Sequence, residues 1–296
     1  MKRLLSLFLA VLLLLSLAAC GEEQKRELKQ PQDEVAEPQP TVEQVAKPKK
    51  ATIPETVLYD NQKLKITAKS LSNEGVMGPE LRLGIENNTD KDLTIQTRSV
   101  SVNGYMIDTI MSMDVPSGRR HTDSLVLVDT SLEQCGITTI GTIEISFHVF
   151  VIETWDTYVD TQVITLRTDL AGTIGRPSAH DGQTVYDAND VKIVVKGLDQ
   201  EDSVLGPGMV LYIENNRKQD ITVQARNASV GGNEINPIFS CNITAGNCAV
   251  DSVTFLSSEL EEYGITDIAE VAMSFVIIDM DDYDDIAKSD EITIHF

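Results

Sequence analysis

Between residues 55 and 296 the chain is built from short runs in which apolar and polar residues alternate. Leu64-Lys65-Ile66-Thr67-Ala68-Lys69 is one such run, and Val191-Lys192-Ile193-Val194-Val195-Lys196 is another. Ile143, Ile145, Phe147 and Val149 fall on every second position, echoed by Val271, Met273, Phe275 and Ile277. A period of two predicts strands with one buried face. Asn103-Gly104 and Gly231-Gly232 separate β-rich runs, and both dipeptides tolerate the positive φ of a tight hairpin turn. Helix signals are few. Thr130-x-x-Glu133 and Ser258-x-x-Glu261 have capping-box spacing, and Gly136 and Gly264 can end the single turns that follow. The region Leu4–Leu17 follows neither period: it is apolar except for Ser6 and Ser16, and it follows Lys2 and Arg3. Its 14 residues suit the h-region of a secretory signal and fall short of the roughly 20 needed to span a bilayer.

The strand pattern is duplicated. Leu83-Gly84-Ile85-Glu86-Asn87-Asn88 recurs as Leu211-Tyr212-Ile213-Glu214-Asn215-Asn216, an offset of 128. The same offset relates Ser101-Val102 to Ser229-Val230, Gly136-Ile137-Thr138 to Gly264-Ile265-Thr266, and Ile164-Thr165 to Ile292-Thr293. Val57-Leu58-Tyr59-Asp60 matches Thr184-Val185-Tyr186-Asp187 at 127, so one residue is inserted before Gly206-Pro207. The chain therefore reads as two copies of one domain, 55–168 and 184–296, joined by a linker over 169–183. About eight short strands per copy predict an all-β fold of two tandem immunoglobulin-like antiparallel β-sandwich domains. Uneven turn spacing favours a Greek-key sandwich over an antiparallel barrel.

Composition shifts before the first copy. Gly21 to Pro54 holds five prolines, many Gln, Glu and Lys, and no aromatic residue. Such a stretch buries too little apolar surface to offset the entropy of ordering, so residues 20–54 are expected to be a disordered tether. It would span roughly 30 Å as a coil and on the order of 100 Å fully extended. The whole chain carries 24 basic and 46 acidic residues. Residues 55–168 have net charge −7 and residues 184–296 net −15, so the acidity concentrates in the second copy. This balance disfavours nucleic acid, anionic lipid and anionic wall polymers as partners. A single Trp among few aromatics argues against a sugar-binding module, which stacks exposed rings on pyranoses.

Leu17-Ala18-Ala19-Cys20 resembles the lipobox of bacterial lipoproteins, whose cysteine is acylated and becomes the first residue of the mature chain. The resemblance implies removal of residues 1–19, which leaves 22 basic against 46 acidic residues, and lipidation (palmitate class) of Cys20. It also implies anchoring to the extracytoplasmic face of the cell membrane. The Tyr-Asp start, the Glu-Asn-Asn turn, the Asn-Gly hairpin and the Gly-Ile-Thr segment are similar to repeats of uncharacterised Gram-positive lipoproteins of the clostridial kind. That group implies no activity for this chain.

With Cys20 taken by lipid, three cysteines remain. Cys241 and Cys248 flank a plausible Ala245-Gly246 turn, and in an oxidising exterior a local disulfide is expected. It would close a loop of 8 residues and add about 2 kcal/mol. Cys135, opposite Tyr263 in the second copy, is expected to be a buried inert thiol; an intermolecular bridge is the sharper alternative. Asp279, Asp281, Asp282, Asp284 and Asp285 form the densest acidic cluster and are a weak candidate calcium site. The cluster lacks the spaced glycine and terminal glutamate of an EF-hand, so a solvated hairpin tip is the leading expectation. Trp155, Tyr158 and Tyr105 are candidates for a small ligand-contacting patch, although Trp155 answers to Tyr283 and reads first as a shared structural aromatic. His121, His148, His180 and His295 are scattered, and no G-x-S-x-G, H-E-x-x-H or phosphate-binding glycine loop is present. The expected function is a non-enzymatic, membrane-anchored module, monomeric, presenting two domains to an unidentified protein or envelope partner. The alternatives are a ligand- or cation-binding accessory lipoprotein that uses the acidic segment, and an envelope hydrolase. No catalytic residue or organic cofactor is assigned.

Overall fold

The computed structural model describes residues 50–177 and 181–296. The signal segment, Cys20, most of the tether and His180 lie outside the described residues. The first repeat runs β1 (Thr56–Asp60), β2 (Leu64–Ser72), β3 (Glu80–Asn87), β4 (Leu93–Val102), β5 (Tyr105–Met106), β6 (Thr109–Ile110), β7 (Ser112–Val115), β8 (Arg119–Leu127), α1 (Asp129–Gln134), β9 (Thr142–Val151), β10 (Thr157–Asp160) and β11 (Ile164–Arg167). The second runs β12 (Gln183–Ala188), β13 (Val191–Ser203), β14 (Gly206–Asn215), β15 (Ile221–Val230), β16 (Asn233–Glu234), β17 (Ser240–Ile243), β18 (Cys248–Thr254), α2 (Ser257–Glu262), β19 (Glu270–Asp279), β20 (Asp285–Lys288) and β21 (Ile292–His295). The protein is all-β, and each repeat is an antiparallel sandwich of the immunoglobulin-like class.

Each repeat packs a sheet containing its second and third strands and the strand before its short helix against a sheet centred on its fourth strand and the strand after that helix. In the first repeat these are β1-β2-β3-β8-β6 and the β4–β9 sheet. In the second, the first sheet is β12-β13-β14-β18 and the other is β16-β15-β19-β20. The repeats are not separate beads. A parallel bridge between Tyr105 of β5 and Cys248 of β18 fuses the β4–β9 sheet of the first repeat with the β12–β18 sheet of the second. The result is one ten-stranded sheet, six strands from the first repeat and four from the second.

That fusion explains a departure from the expected strand pattern. The alternation over Val191–Lys196 breaks at Val194, because this sheet is covered on both sides. Ile193, Val195, Leu211 and Ile213 face the core of the second repeat. Val194, Tyr212, Cys248 and Val250 face the other way and join the core of the first. A strand buried on both faces reads as a continuous apolar run.

Local chemistry fixes the turns. Asn103 and Gly104 have φ of 51° and 84°, and Gly231 and Gly232 have 56° and 81°, the doubly positive geometry expected of these hairpins. The capping boxes do not form. Val128 and Leu256 occupy the N-cap positions with no side-chain cap, and Thr130 and Ser258 lie inside the helices. The helices are instead held at their C-terminal ends. Ile137 N–H donates to Leu132 O and Gly136 N–H to Glu133 O, both 2.9 Å, which is a Schellman closure repeated at Ile265 and Gly264.

The Glu-Asn-Asn repeat is structural. Buried Asn87 donates from Nδ2 to Lys91 O and Val115 O, both 2.8 Å, and its Oδ1 accepts from Thr89 N–H and Oγ1. Asn215 repeats this with Gln219 O, Ile243 O and Arg217 N–H. Order also begins earlier than composition suggests. Ala51, assigned to the tether by its neighbours, is buried, Thr52 N–H donates to Asp169 Oδ1 at 2.8 Å, and Asn73 donates to Ala51 O at 3.0 Å.

Candidate functional site

The sequence singled out cysteines, an acidic segment and an aromatic trio, and the structure distributes them over three places. The first is the joint between repeats. Tyr105 and Tyr212 are buried with ring centroids 6.3 Å apart. Cys248 N–H donates to Gly104 O at 2.9 Å, and its Sγ lies 3.0 Å from the Tyr212 hydroxyl. The linker is latched onto this cluster. Arg176 donates to Cys248 Sγ at 3.3 Å and to Gly246 O at 2.7 Å, while the Tyr105 hydroxyl donates to Pro177 O at 2.6 Å. Asn247 Nδ2 reaches across to Glu144 Oε2 at 3.0 Å.

The expected Cys241–Cys248 disulfide is absent: both are free, buried thiols, as is Cys135. The reason is the side each residue faces. Cys241 sits on β17 opposite Val223, inside the second repeat, and hydrogen-bonds the Asp251 carboxylate. Cys248 points out of the opposite sheet, into the joint. Cys135 is buried, as expected, and meets the backbone of Val250. Burial pushes the Cys135 thiol up to about 12 and raises Cys241 and Cys248 in the same direction. All three therefore stay protonated near neutral pH and are poor nucleophiles. A cavity of about 330 Å3 opens beside the joint, lined by residues of both repeats that include Arg98, Asp108, Gln134, Cys241 and Asp251.

The second place is the acidic segment. Residues 279–285 form the β19–β20 hairpin tip, whose carboxylates serve the turn itself. Asp279 Oδ1 accepts from Asp281 N–H at 2.9 Å, and Asp282 Oδ1 from Asp284 N–H at 3.1 Å. Asp279, Asp281, Asp282, Asp284 and Asp285 do not converge. Among the described residues no group of three His, Cys, Asp or Glu side chains is placed to hold a metal ion. The turn directs these side chains outward to water, which is where isolated carboxylates are most stable.

The third place is the aromatic trio, which the fold takes apart. Tyr105 belongs to the joint. Trp155 is 76 % exposed at the β9–β10 tip, stacked on Phe150 at 5.3 Å and 14°. Its counterpart Tyr283 is 81 % exposed at the matching tip. The described histidines stay apart: His148 Nδ1 lies 2.6 Å from Asp160, His295 Nδ1 3.2 Å from Glu270, and His121 Nε2 3.8 Å from Asp123.

A feature that motif searching passes over lies in the loop after the second strand of each repeat. Val76 and Met77 are exposed there, and so are Val204 and Leu205 at the offset of 128. Reading exposure from sequence needs the loop to be placed first. The duplication of an apolar pair before Gly-Pro was the available signal.

Among the described residues no helix is long and apolar enough to cross a membrane. No protein-family model matches the sequence. No curated protein matches it either. Solved structures with a similar fold include the YadV chaperone, at 12% identity and TM-score 0.23 over 73% of this chain and 92% of that one. A protein of unknown function from Porphyromonas gingivalis W83 matches at 13% and 0.21, over 82% and 96%. The Salmonella enterica SafA pilin–SafB chaperone complex matches at 11% and 0.20, over 73% and 89%.

Proposed function

We propose that this chain is a non-enzymatic, lipid-anchored lipoprotein on the extracytoplasmic face of the cell membrane, where its two sandwich repeats engage a protein or envelope partner. The duplicated apolar pair carries this reading. Val76 is 101 % exposed and Val204 104 %, with Met77 and Leu205 beside them. Scattered apolar residues on a surface need no explanation, but the same pair kept exposed in both repeats does.

The loops are held rather than loose. Met77 O accepts from Asp129 N–H at 2.9 Å, and Leu205 O accepts from Ser257 N–H at 2.9 Å. Gly78 and Gly206 allow this pinning. A Cβ at either would lie 1.9 Å from Leu127 O or 2.0 Å from Phe255 O, and their φ values are 136° and 149°. The backbone is thus fixed against the start of each short helix while the two side chains before it project into solvent. Pre-set loops lose little entropy on binding.

Acylation of Cys20 supplies the anchor in this reading, and two chains or more give stable attachment. The test is chemical crosslinking on intact cells of the native chain and of a variant with Val76, Met77, Val204 and Leu205 all changed to serine. The native chain is expected to form discrete crosslinked species that the variant loses. Identical patterns from both would remove the reading.

A further inference from the structure

We propose that each repeat carries a binding face for a neutral glycan chain, built from the aromatic tip residue Trp155 or Tyr283 and a polar ladder on the adjoining strands. The face is the outer side of the β7–β4–β9 sheet and its counterpart β17–β15–β19, at the end of each repeat opposite the apolar loops. It is a different surface from the one proposed above, and its test does not depend on anchoring.

Three observations meet there. First, both tips place a bulky aromatic in the left-handed region, Trp155 at φ 64° and Tyr283 at 62°. Such a conformation is uncommon for a large side chain and is kept where something requires it. The tip turn closes through this residue in both repeats, Trp155 N–H donating to Val151 O at 2.8 Å and Tyr283 N–H to Asp279 O at 3.0 Å, yet the position holds an exposed aromatic ring rather than glycine or asparagine.

Second, the rings stand beside the same hydrogen-bonded ladder in both repeats. Thr94 Oγ1 donates to Asp114 Oδ1 at 2.6 Å, and Gln96 Nε2 donates to Ser112 Oγ at 3.2 Å. In the second repeat Thr222 donates to Asn242 Oδ1 at 2.7 Å, and Gln224 to Ser240 Oγ at 3.3 Å. Three of the four positions are identical across a duplication in which the joint residues diverged, and the fourth, Asp114 or Asn242, keeps an oxygen acceptor.

Third, the second face is concave. Tyr283, Met280, Ile278, Thr222, Gln224 and Asn242 surround a cleft of about 260 Å3. That is slightly below the usual size of small-ligand pockets, and it suits one or two rings of a longer chain.

The chemistry selects the ligand class. An exposed ring offers a flat, electron-rich face to the C–H side of a pyranose. Thr94 is buried beneath the first face, and the accessible groups of the two ladders, Gln96, Ser112 and Asp114 in one and Gln224, Ser240 and Asn242 in the other, meet sugar hydroxyls, which both donate and accept. A chain of net charge −22 repels polyanionic polymers, so the ligand is an uncharged glycan. The scarcity of aromatics noted above is met by placement: two rings, each at an exposed tip, are enough for two sites.

The test is calorimetric titration of the full chain, held in a polyoxyethylene detergent that contains no sugar. The probes are linear hexasaccharides of glucose, N-acetylglucosamine, mannose and galactose. At least one probe is expected to bind with two sites per chain. Trp155→Gly and Tyr283→Gly are each expected to reduce the stoichiometry to one, and the double variant to abolish binding. Because glycine relieves the positive φ, Tyr283→Gly is expected to leave the melting temperature unchanged or higher, which a purely structural tyrosine would not do. Trp155 is the single tryptophan, so its emission should shift on binding in the Tyr283→Gly variant as in the native chain. No binding of any probe, or binding that both glycine variants retain, would overturn the proposal. So would a lowered melting temperature in Tyr283→Gly.

Discussion

The first repeat has Thr67, Gly84, Arg120 and Thr122 where the second has Val194, Tyr212, Cys248 and Val250. All eight lie on the outer face of equivalent sheets. In the first repeat charged side chains screen that face, with Thr67 and Gly84 buried beneath them and Arg120 and Thr122 exposed. Lys65, Lys69 and Arg120 lie across it and pair with Asp60, Glu55 and Glu86 at 3.7, 3.5 and 3.1 Å. In the second repeat the same face is apolar and is covered by the end of the first. The opposite ends differ in the complementary sense. Tyr105, Met106 and Cys135 of the first repeat answer to Asn233, Glu234 and Tyr263 of the second, and Tyr263 is 46 % exposed where Cys135 is 1 %. One duplicated fold therefore has a joining side and a capping side, decided by about seven side chains.

The sharpest way to break this contrast is to give the second repeat the first repeat's face. Tyr212→Gly combined with Val250→Thr removes a buried aromatic and an apolar contact and should cost about 3–5 kcal/mol. Thermal unfolding is expected to split from one transition into two. A single transition at the native midpoint would show that the face does not hold the joint.

Removing a feature that the repeats share should hurt both alike. Asn87→Ala and Asn215→Ala each strand two carbonyls that the amide now satisfies, a loss of about 2–3 kcal/mol in denaturant unfolding. Unequal losses would mean that the motif does different work in the two copies.

Alkali separates the two repeats as well, because the raised thiols of Cys135 and Cys248 lie at the joint. Cys135 rises from 9.0 to about 12 on folding, so between these values the unfolded chain releases a proton that the folded chain keeps. Stability is then fully present below pH 9 and is lost progressively up to pH 12. The contribution of Cys135 is on the order of a few kcal/mol. Cys135→Ser should flatten this decline, whereas Tyr263→Ser, at the matching exposed position, should leave it as it was.

Arg176→Ala removes two linker contacts and should cost about 1 kcal/mol, with faster exchange of amides around Gly246. The smallest expected effect is that of calcium. Millimolar calcium should leave the melting temperature unchanged, and a rise would restore the acidic tip as a site.

The comparison also shows what could be read from residues alone. Period-two runs and a 128-residue offset lead to strands, sandwiches and two copies, because side-chain alternation is a direct record of which face is buried. The joint was legible in the same letters. Ile193-Val194-Val195 and Leu211-Tyr212-Ile213 break an alternation that Ile66-Thr67-Ala68 and Leu83-Gly84-Ile85 keep, and such a break marks a second buried face. The pairing of Cys241 with Cys248 misled because sequence proximity carries no record of facing. The two residues sit on opposite sheets and point away from each other. The exposure of Trp155 was not legible for a related reason: correspondence with Tyr283 shows that the position is shared, and not which way its side chain faces.

Both repeats share one sheet through the Tyr105–Cys248 bridge. Hydrogen exchange at the Cys248 amide, which donates to Gly104 O across the joint, tests this. Exchange as slow as that of the core amides Leu211 and Ile213, and accelerated by Tyr212→Gly, is the expected result. Exchange at the rate of an open loop, with Leu211 and Ile213 still protected, would contradict a shared sheet.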